Sequence, residues 1–81
     1  MPSASPDPSA LGRAVRAIRL ERGITQEQLA NNTGLQQTWI SHIERGRRNP
    51  SWSNVVRLAE GLGVEVWELA KRAEALAEEP S

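Results

Sequence analysis

The 81-residue sequence has no cysteine and a single histidine, His42. Without thiols there are no disulfides, no thiolate nucleophile and no sulfur-ligated zinc or iron, which agrees with a reducing cytoplasm. There is also no glycine-rich phosphate cradle. Glu44, the acid nearest His42, lies about 160° away around a helix and cannot polarise the imidazole. Neither an enzyme nor a bound metal or other cofactor is expected. No apolar run is long enough to span a membrane, and the opening MPSASPDPSA has neither the basic start nor the apolar stretch of a signal peptide. A cytoplasmic protein is expected. A chain this short buries a modest fraction of its surface, so the expectation is one domain of regular helices around one core, with no roomy catalytic cavity.

Net charge is absent as well, which at first argues against a nucleic-acid partner. Its distribution argues otherwise. Residues 11–57 carry eight arginines against Glu21, Glu27 and Glu44, whereas residues 58–81 carry Lys71 and Arg72 against six glutamates. At a Debye length of about 8 Å, a partner docking on the first part feels the local basic field. Lysine is missing from that basic half, so any grip on phosphates there relies on arginine.

Pro2, Pro6 and Pro8 among small polar residues predict a disordered tail over 1–9, and a frayed end is expected over 79–81. Between them, 10–78 reads as the folded domain. Leu11, Val15 and Ile18 recur at helical spacing in a first helix ending at Gly23. Thr25 and Gln28 form a capping box, with Ile24 and Leu29 as a hydrophobic staple, and start a short second helix at Gln26. The third helix lies between Gly34 and Gly46. After the loop RGRRNPS, a fourth helix carries Trp52, Val55, Val56, Leu58, Ala59 and Leu62, closed by Gly61 and Gly63. The fifth runs from about Glu65 to Ala77 with Val66, Leu69, Ala70, Ala73, Leu76 and Ala77 as its stripe. Its acidic end opposes the helix dipole. No strand pattern and no repeat is present.

The third helix, within GLQQTWISHIERG, has two unlike sides. Trp39, Ile40 and Ile43 share one arc; Gln37, Thr38, Ser41, His42 and Arg45 share the other. A solvated face is ordinarily rich in Lys and Glu, but this one carries amide, hydroxyl, imidazole and guanidinium groups that donate to and accept from base edges. On these residues alone, a surface helix of accidental composition is an equal alternative.

Two short helices about a glycine turn, then a basic loop and two further helices, form the layout of a helix-turn-helix domain. The run ITQEQLANNTGLQQTWISHIERGRRNPSWSNVVRLAEGLGV resembles the DNA-binding domain of the lambda-repressor-like (xenobiotic-response-element, Cro/repressor-type) helix-turn-helix family. The likeness extends over residues 11 to about 70. It rests on TQEQLA, Gly34, WISHIERG, RRNPS and LAEGLGV together. It implies an all-α, compact five-helix domain whose helix-turn-helix is formed by helices 2 and 3, with helix 3 in the major groove of double-stranded DNA.

By position, the resemblance assigns base contacts to Gln37, Thr38 and His42, with Gln36 and Ser41 beside them. For each, the alternative is a solvated side chain or a phosphate contact. Gln26 matches a position that meets a backbone phosphate, and Arg45, Arg47, Arg48 and Asn49 sit where the family follows the second strand. Trp39 falls between the two arcs and is expected to pack on the core with its indole N–H free for a phosphate. Arg19 and Glu44 match a structural ion pair joining helix 1 to the end of helix 3. Gln36 departs from the usual serine or threonine cap, which weakens the start of helix 3. Ala30 and Gly34 are expected to be small because helices 2 and 3 approach closely.

Ala73, Leu76 and Ala77 continue the stripe of helix 5 beyond the core expected for so small a domain, and Trp67 lies off that stripe. These four predict a homodimer interface. A dimer of this family acts on a pseudo-palindromic operator, repressing where it overlaps a promoter or activating where it touches RNA polymerase or another protein. It resides in the cytoplasm, on the nucleoid when bound. The competing reading is a protein-interaction module, a bridging coactivator or antitoxin-like domain without autonomous sequence-specific DNA binding. Its docking face requires exposed apolar anchors, and the polar arc of helix 3 has none.

Overall fold

The computed structural model describes residues 8–78. Of the expected tail over 1–9, residues 1–7 lie outside the described residues, as does the expected frayed end, 79–81; residues 8 and 9 are not tail but the first residues of a helix. Five helices follow one another: α1 (Pro8–Glu21), α2 (Gln26–Thr33), α3 (Gln37–Glu44), α4 (Trp52–Leu62) and α5 (Val66–Glu78). No strand occurs among the described residues.

Local chemistry sets most boundaries. The α1 helix stops at Glu21, two residues before Gly23, because Ile24 N–H reaches back 2.9 Å to the carbonyl of Arg19 and closes the turn. Both halves of the capping box at α2 are made: Gln28 N donates to Thr25 Oγ1 at 3.0 Å and Thr25 N to Gln28 Oε1 at 2.9 Å. Gln36 at the start of α3 offers no side-chain cap, whereas Ser51 caps α4 through Asn54 N at 3.3 Å. Gly34 adopts φ 75° at the end of α2, a left-handed conformation that a side chain disfavours.

The core is aliphatic. Val15 and Ile18 of α1 meet Leu29 of α2, Ile40 and Ile43 of α3, Leu58 and Leu62 of α4, and Leu69 of α5. Packing is most extensive between α1 and α5, then between α2 and α4 and between α1 and α3, so α1 runs through the middle of the domain. From its middle and from its last residue α1 also holds α5. Arg13 Nη2 donates to the Leu76 carbonyl at 3.1 Å, and Arg72 grips Glu21 with two hydrogen bonds of 2.6 and 3.0 Å. The first bond satisfies a carbonyl in the last turn of α5 and offsets the unfavourable acidic end noted above. The second holds the Glu21 carboxyl below its ordinary pKa.

Three expectations are corrected here. Trp52, placed with the core residues of α4, is 70% exposed because it occupies the first helical position, on the loop side. Gly61 lies inside α4, and Gly63 ends it. Gly34 is not the point of close approach, since a Cβ there meets nothing within 4 Å. The close approaches are at Gly12 and Gly61. A Cβ on Gly12 would lie 1.9 Å from the Ile43 carbonyl oxygen, and one on Gly61 2.5 Å from Thr33 Cγ2. The α2–α4 contact at Gly61 is completed by Asn32, whose Nδ2 donates to the Gly61 carbonyl at 3.1 Å.

Gly12→Ala is therefore expected to destabilise the domain by about 1–3 kcal/mol through forced separation of α1 and α3. This exceeds or cancels the roughly 1 kcal/mol by which alanine is favoured over glycine within a helix. Urea melts measure the difference. A variant more stable than wild type would mean that the two helices do not meet this closely.

Candidate nucleic-acid interface

The side of α3 turned away from the core is concave. Gln37, Thr38, Ser41, His42 and Arg45, joined by Gln26 from the start of α2, line a shallow depression of about 290 Å³. Gln37, Thr38 and Arg45 are exposed; Ser41, His42 and Gln26 are half-buried. Gln36 is exposed at the N-terminal edge of α3. The opposite side of α3 buries Ile40 and Ile43 almost completely, and Trp39 packs against the core while remaining half-buried. The indole N–H of Trp39 makes no hydrogen bond among the described residues.

Beyond α3 the chain turns sharply. Arg45 N, Gly46 N and Arg47 N donate to the carbonyls of Ser41, Ile43 and His42 at 3.1, 3.0 and 2.9 Å. The turn is held against the start of α1, because a Cβ on Gly46 would come within 2.9 Å of Ser9 Cβ. Arg47, Arg48 and Asn49 project from it exposed, and among the described residues neither these side chains nor that of Arg45 has an ion-pair or hydrogen-bond partner. Three uncommitted guanidinium groups beside a concave polar surface make an anion-facing edge of fixed backbone.

Behind this surface lies a buried ion pair. Arg19 Nε donates to Glu44 Oε2 at 2.7 Å and Arg19 Nη2 to Glu44 Oε1 at 3.0 Å, with side chains 9% and 3% exposed. Arg19 Nη1 donates to the Ile24 carbonyl at 3.0 Å, and Gln26 Nε2 to Glu44 Oε1 at 3.0 Å. The last bond is not visible in the sequence, where Gln26 and Glu44 are eighteen positions apart. The resemblance assigns the Gln26 amide to a phosphate. Here one of its N–H groups is already committed inside the protein.

The residues expected at a dimer contact separate into two sets. Ala73 and Leu76 are half-buried against the core of their own chain, because α1 extends far enough to cover them. They are not the uncovered end of a stripe. Ala77 and Trp67 are exposed, Trp67 by 64%. Trp67 borders a groove of about 440 Å³ between the end of α1 and α5, lined also by Ile18, Arg22, Val64 and Lys71.

Known proteins share the sequence pattern and the fold. The sequence pattern of a family described as a helix-turn-helix domain matches residues 10–77. The chain belongs to this family of helix-turn-helix domains, of the lambda-repressor-like type. It is similar to the control protein C.BamHI of Bacillus amyloliquefaciens, with 46% identity over 67% of this chain and 68% of that protein. It is also similar to the immunity repressor protein of Bacillus phage phi105, with 43% identity over 69% of this chain but 39% of the repressor. Among solved structures, the restriction-modification controller protein C.Esp1396I superposes with a TM-score of 0.84 at 32% identity, covering 93% of this chain and 99% of that one. The same controller protein has been crystallised as a tetramer with its natural 35 base-pair operator; that chain matches with a TM-score of 0.76 at 36% identity, over 86% of this chain and 97% of its own length.

Removing one partner of the Arg19–Glu44 pair strands the other in a poorly solvated site. Arg19→Ala and Glu44→Ala are each expected to cost about 3–5 kcal/mol, against at most about 1 kcal/mol for an exposed pair. Denaturant melts decide between the two magnitudes, and small losses in both variants would mean that the pair is solvated.

Proposed function

We propose that this protein is a sequence-specific double-stranded DNA-binding transcriptional regulator, acting as a homodimer on a pseudo-palindromic operator and reading the major groove with α3. The observation that carries the proposal is the union of two unlike surfaces. A concave set of amide, hydroxyl and imidazole groups suits base edges, and the exposed arginines beside it suit phosphates. Similarity to control proteins, and to a controller protein crystallised with its operator, supports the same role. Gln37 would contact an adenine N6/N7 edge, Thr38 and His42 would contact neighbouring bases, and Gln36 and Ser41 would lie beside them. Arg45, Arg47, Arg48 and Asn49 would follow the backbone, joined by Gln26 and the indole N–H of Trp39. Regulation by occupancy requires no catalysis and no cofactor. Among the described residues, no helix is long and apolar enough to cross a membrane. The proposed location is the cytoplasm, on the nucleoid when bound.

Reading and gripping fail differently. Gln37→Ala is expected to lose about 1–3 kcal/mol of discrimination at one base pair of each half-site while keeping its affinity for random DNA. Arg47→Ala is expected to weaken all sequences alike and to lower the salt slope by about one unit per half-site. Titrations of matched, single-mismatch and random duplexes at several salt concentrations measure both. Mismatch penalties unchanged in Gln37→Ala would remove that residue from the reading set. A wild type that prefers no duplex over random DNA would favour the protein-interaction module instead.

The dimer is proposed to form through α5, with Trp67 as its exposed anchor, Ala77 beside it, and the outer edges of Ala73 and Leu76 contributing. Trp67→Glu is the cleaner test, because Leu76→Glu would also disturb packing on α1. Sedimentation at micromolar concentration is expected to show a wild-type dimer that Trp67→Glu weakens while its thermal melt is retained. A wild type that is monomeric both free and on DNA would refute the dimer.

A further inference from the structure

Glu44 belongs to the buried side of α3, yet one of its hydrogen bonds reaches the edge of the candidate interface. Its Oε2 accepts from Arg19 Nε at 2.7 Å, and its Oε1 accepts from both Arg19 Nη2 and Gln26 Nε2, each at 3.0 Å. Gln26 is the first residue of α2 and lines the depression with Gln37 and Arg45. A carboxylate accepts and cannot donate, so only the NH₂ end of the Gln26 amide can face it. Glu44 thereby decides which way that amide lies. One Nε2 hydrogen is consumed and the second remains available. Meanwhile Arg19 balances the carboxylate, so no net negative charge stands behind a surface meant for phosphates.

We propose that Glu44 is a positioning residue for DNA binding: it holds the Gln26 amide so that the second Nε2 hydrogen meets a backbone phosphate beside the start of α2. The proposal rests on the DNA-binding reading above. Its content is a coupling between a residue at the end of α3 and a contact made by α2. A glutamine held before DNA arrives loses less freedom on binding than one that must be ordered by the contact. The same carboxylate anchors the recognition helix to α1, so one buried group sets both the position of α3 and the direction of a neighbouring donor.

A double-mutant cycle tests it on the duplex that wild type selects from random DNA. Gln26→Ala is expected to weaken binding about tenfold, the loss of one hydrogen bond to a charged group. In a Glu44→Gln background the Arg19 guanidinium claims the single remaining carbonyl, leaving an NH₂ group that repels the Gln26 nitrogen. There Gln26→Ala is expected to cost less than about twofold. Equal losses in the two backgrounds, or no loss in either, would overturn the proposal.

Should Glu44→Gln fail to fold, the wild-type protein still decides by NMR, with the Gln26 side-chain signals assigned by their absence in Gln26→Ala. One Nε2 proton is expected to be protected from exchange in the free protein, and the other to shift when the duplex is added. Two protons exchanging like those of exposed glutamines, or neither shifting with DNA, would overturn it. A wild type that binds no duplex would remove the DNA-binding reading, and the proposal with it, while leaving the protected proton in place. Tight wild-type binding without coupling would remove this proposal alone.

Discussion

The Arg19–Glu44 ion pair is the interaction on which the arrangement of the first three helices depends. A buried carboxylate and a buried guanidinium both lose hydration, and their attraction offsets that loss only when their remaining hydrogen-bonding capacity is also used. Here it is used: the α1 arginine bonds Glu44 twice and the Ile24 carbonyl once, and the α2 glutamine fills a further site on Glu44. The donors come from the last turn of α1 and the first of α2, and the acceptor from the last turn of α3. A purely aliphatic contact at this junction could slide. The fork of Arg19 on Glu44 fixes both distance and direction, and so fixes how α3 presents its polar side.

Two helical glycines do comparable work without any polar group. Aliphatic side chains fill the centre of this core, and the three tryptophans stay at its margin or outside it. With no large ring to hold helices apart, α1 can descend onto the backbone of α3 at Gly12, and α4 onto the side chains of α2 at Gly61. Short distances between axes let an 81-residue chain enclose eight Leu, Ile and Val side chains almost completely at its centre.

Much of this was legible in the sequence because it is local. The capping box of Thr25 and Gln28, the serine cap at Ser51, the missing cap at Gln36 and the arcs of α3 all depend on residues within a few positions of one another. What was not legible depends on contacts across the chain. A glycine inside a helix looks the same in sequence whether it ends the helix or admits a neighbour, so neither the contact at Gly12 nor that at Gly61 is visible there. Trp52 counts as apolar by composition, but its first-turn position turns it to solvent. Nothing in the spacing indicates that Gln26 spends an N–H on Glu44, or that α1 reaches far enough to cover Ala73 and Leu76.

The basic half of the domain is built from arginine alone, and the only lysine of the chain, Lys71, stands on α5. A guanidinium differs from an ammonium in its planar fork of donors, which matches phosphate oxygens in pairs. It is also out of reach of lysine acetylation, the modification that erases a positive charge outright. The grip of this loop on anions can thus be altered by salt or by competition for the surface, but not by acyl transfer to an amine.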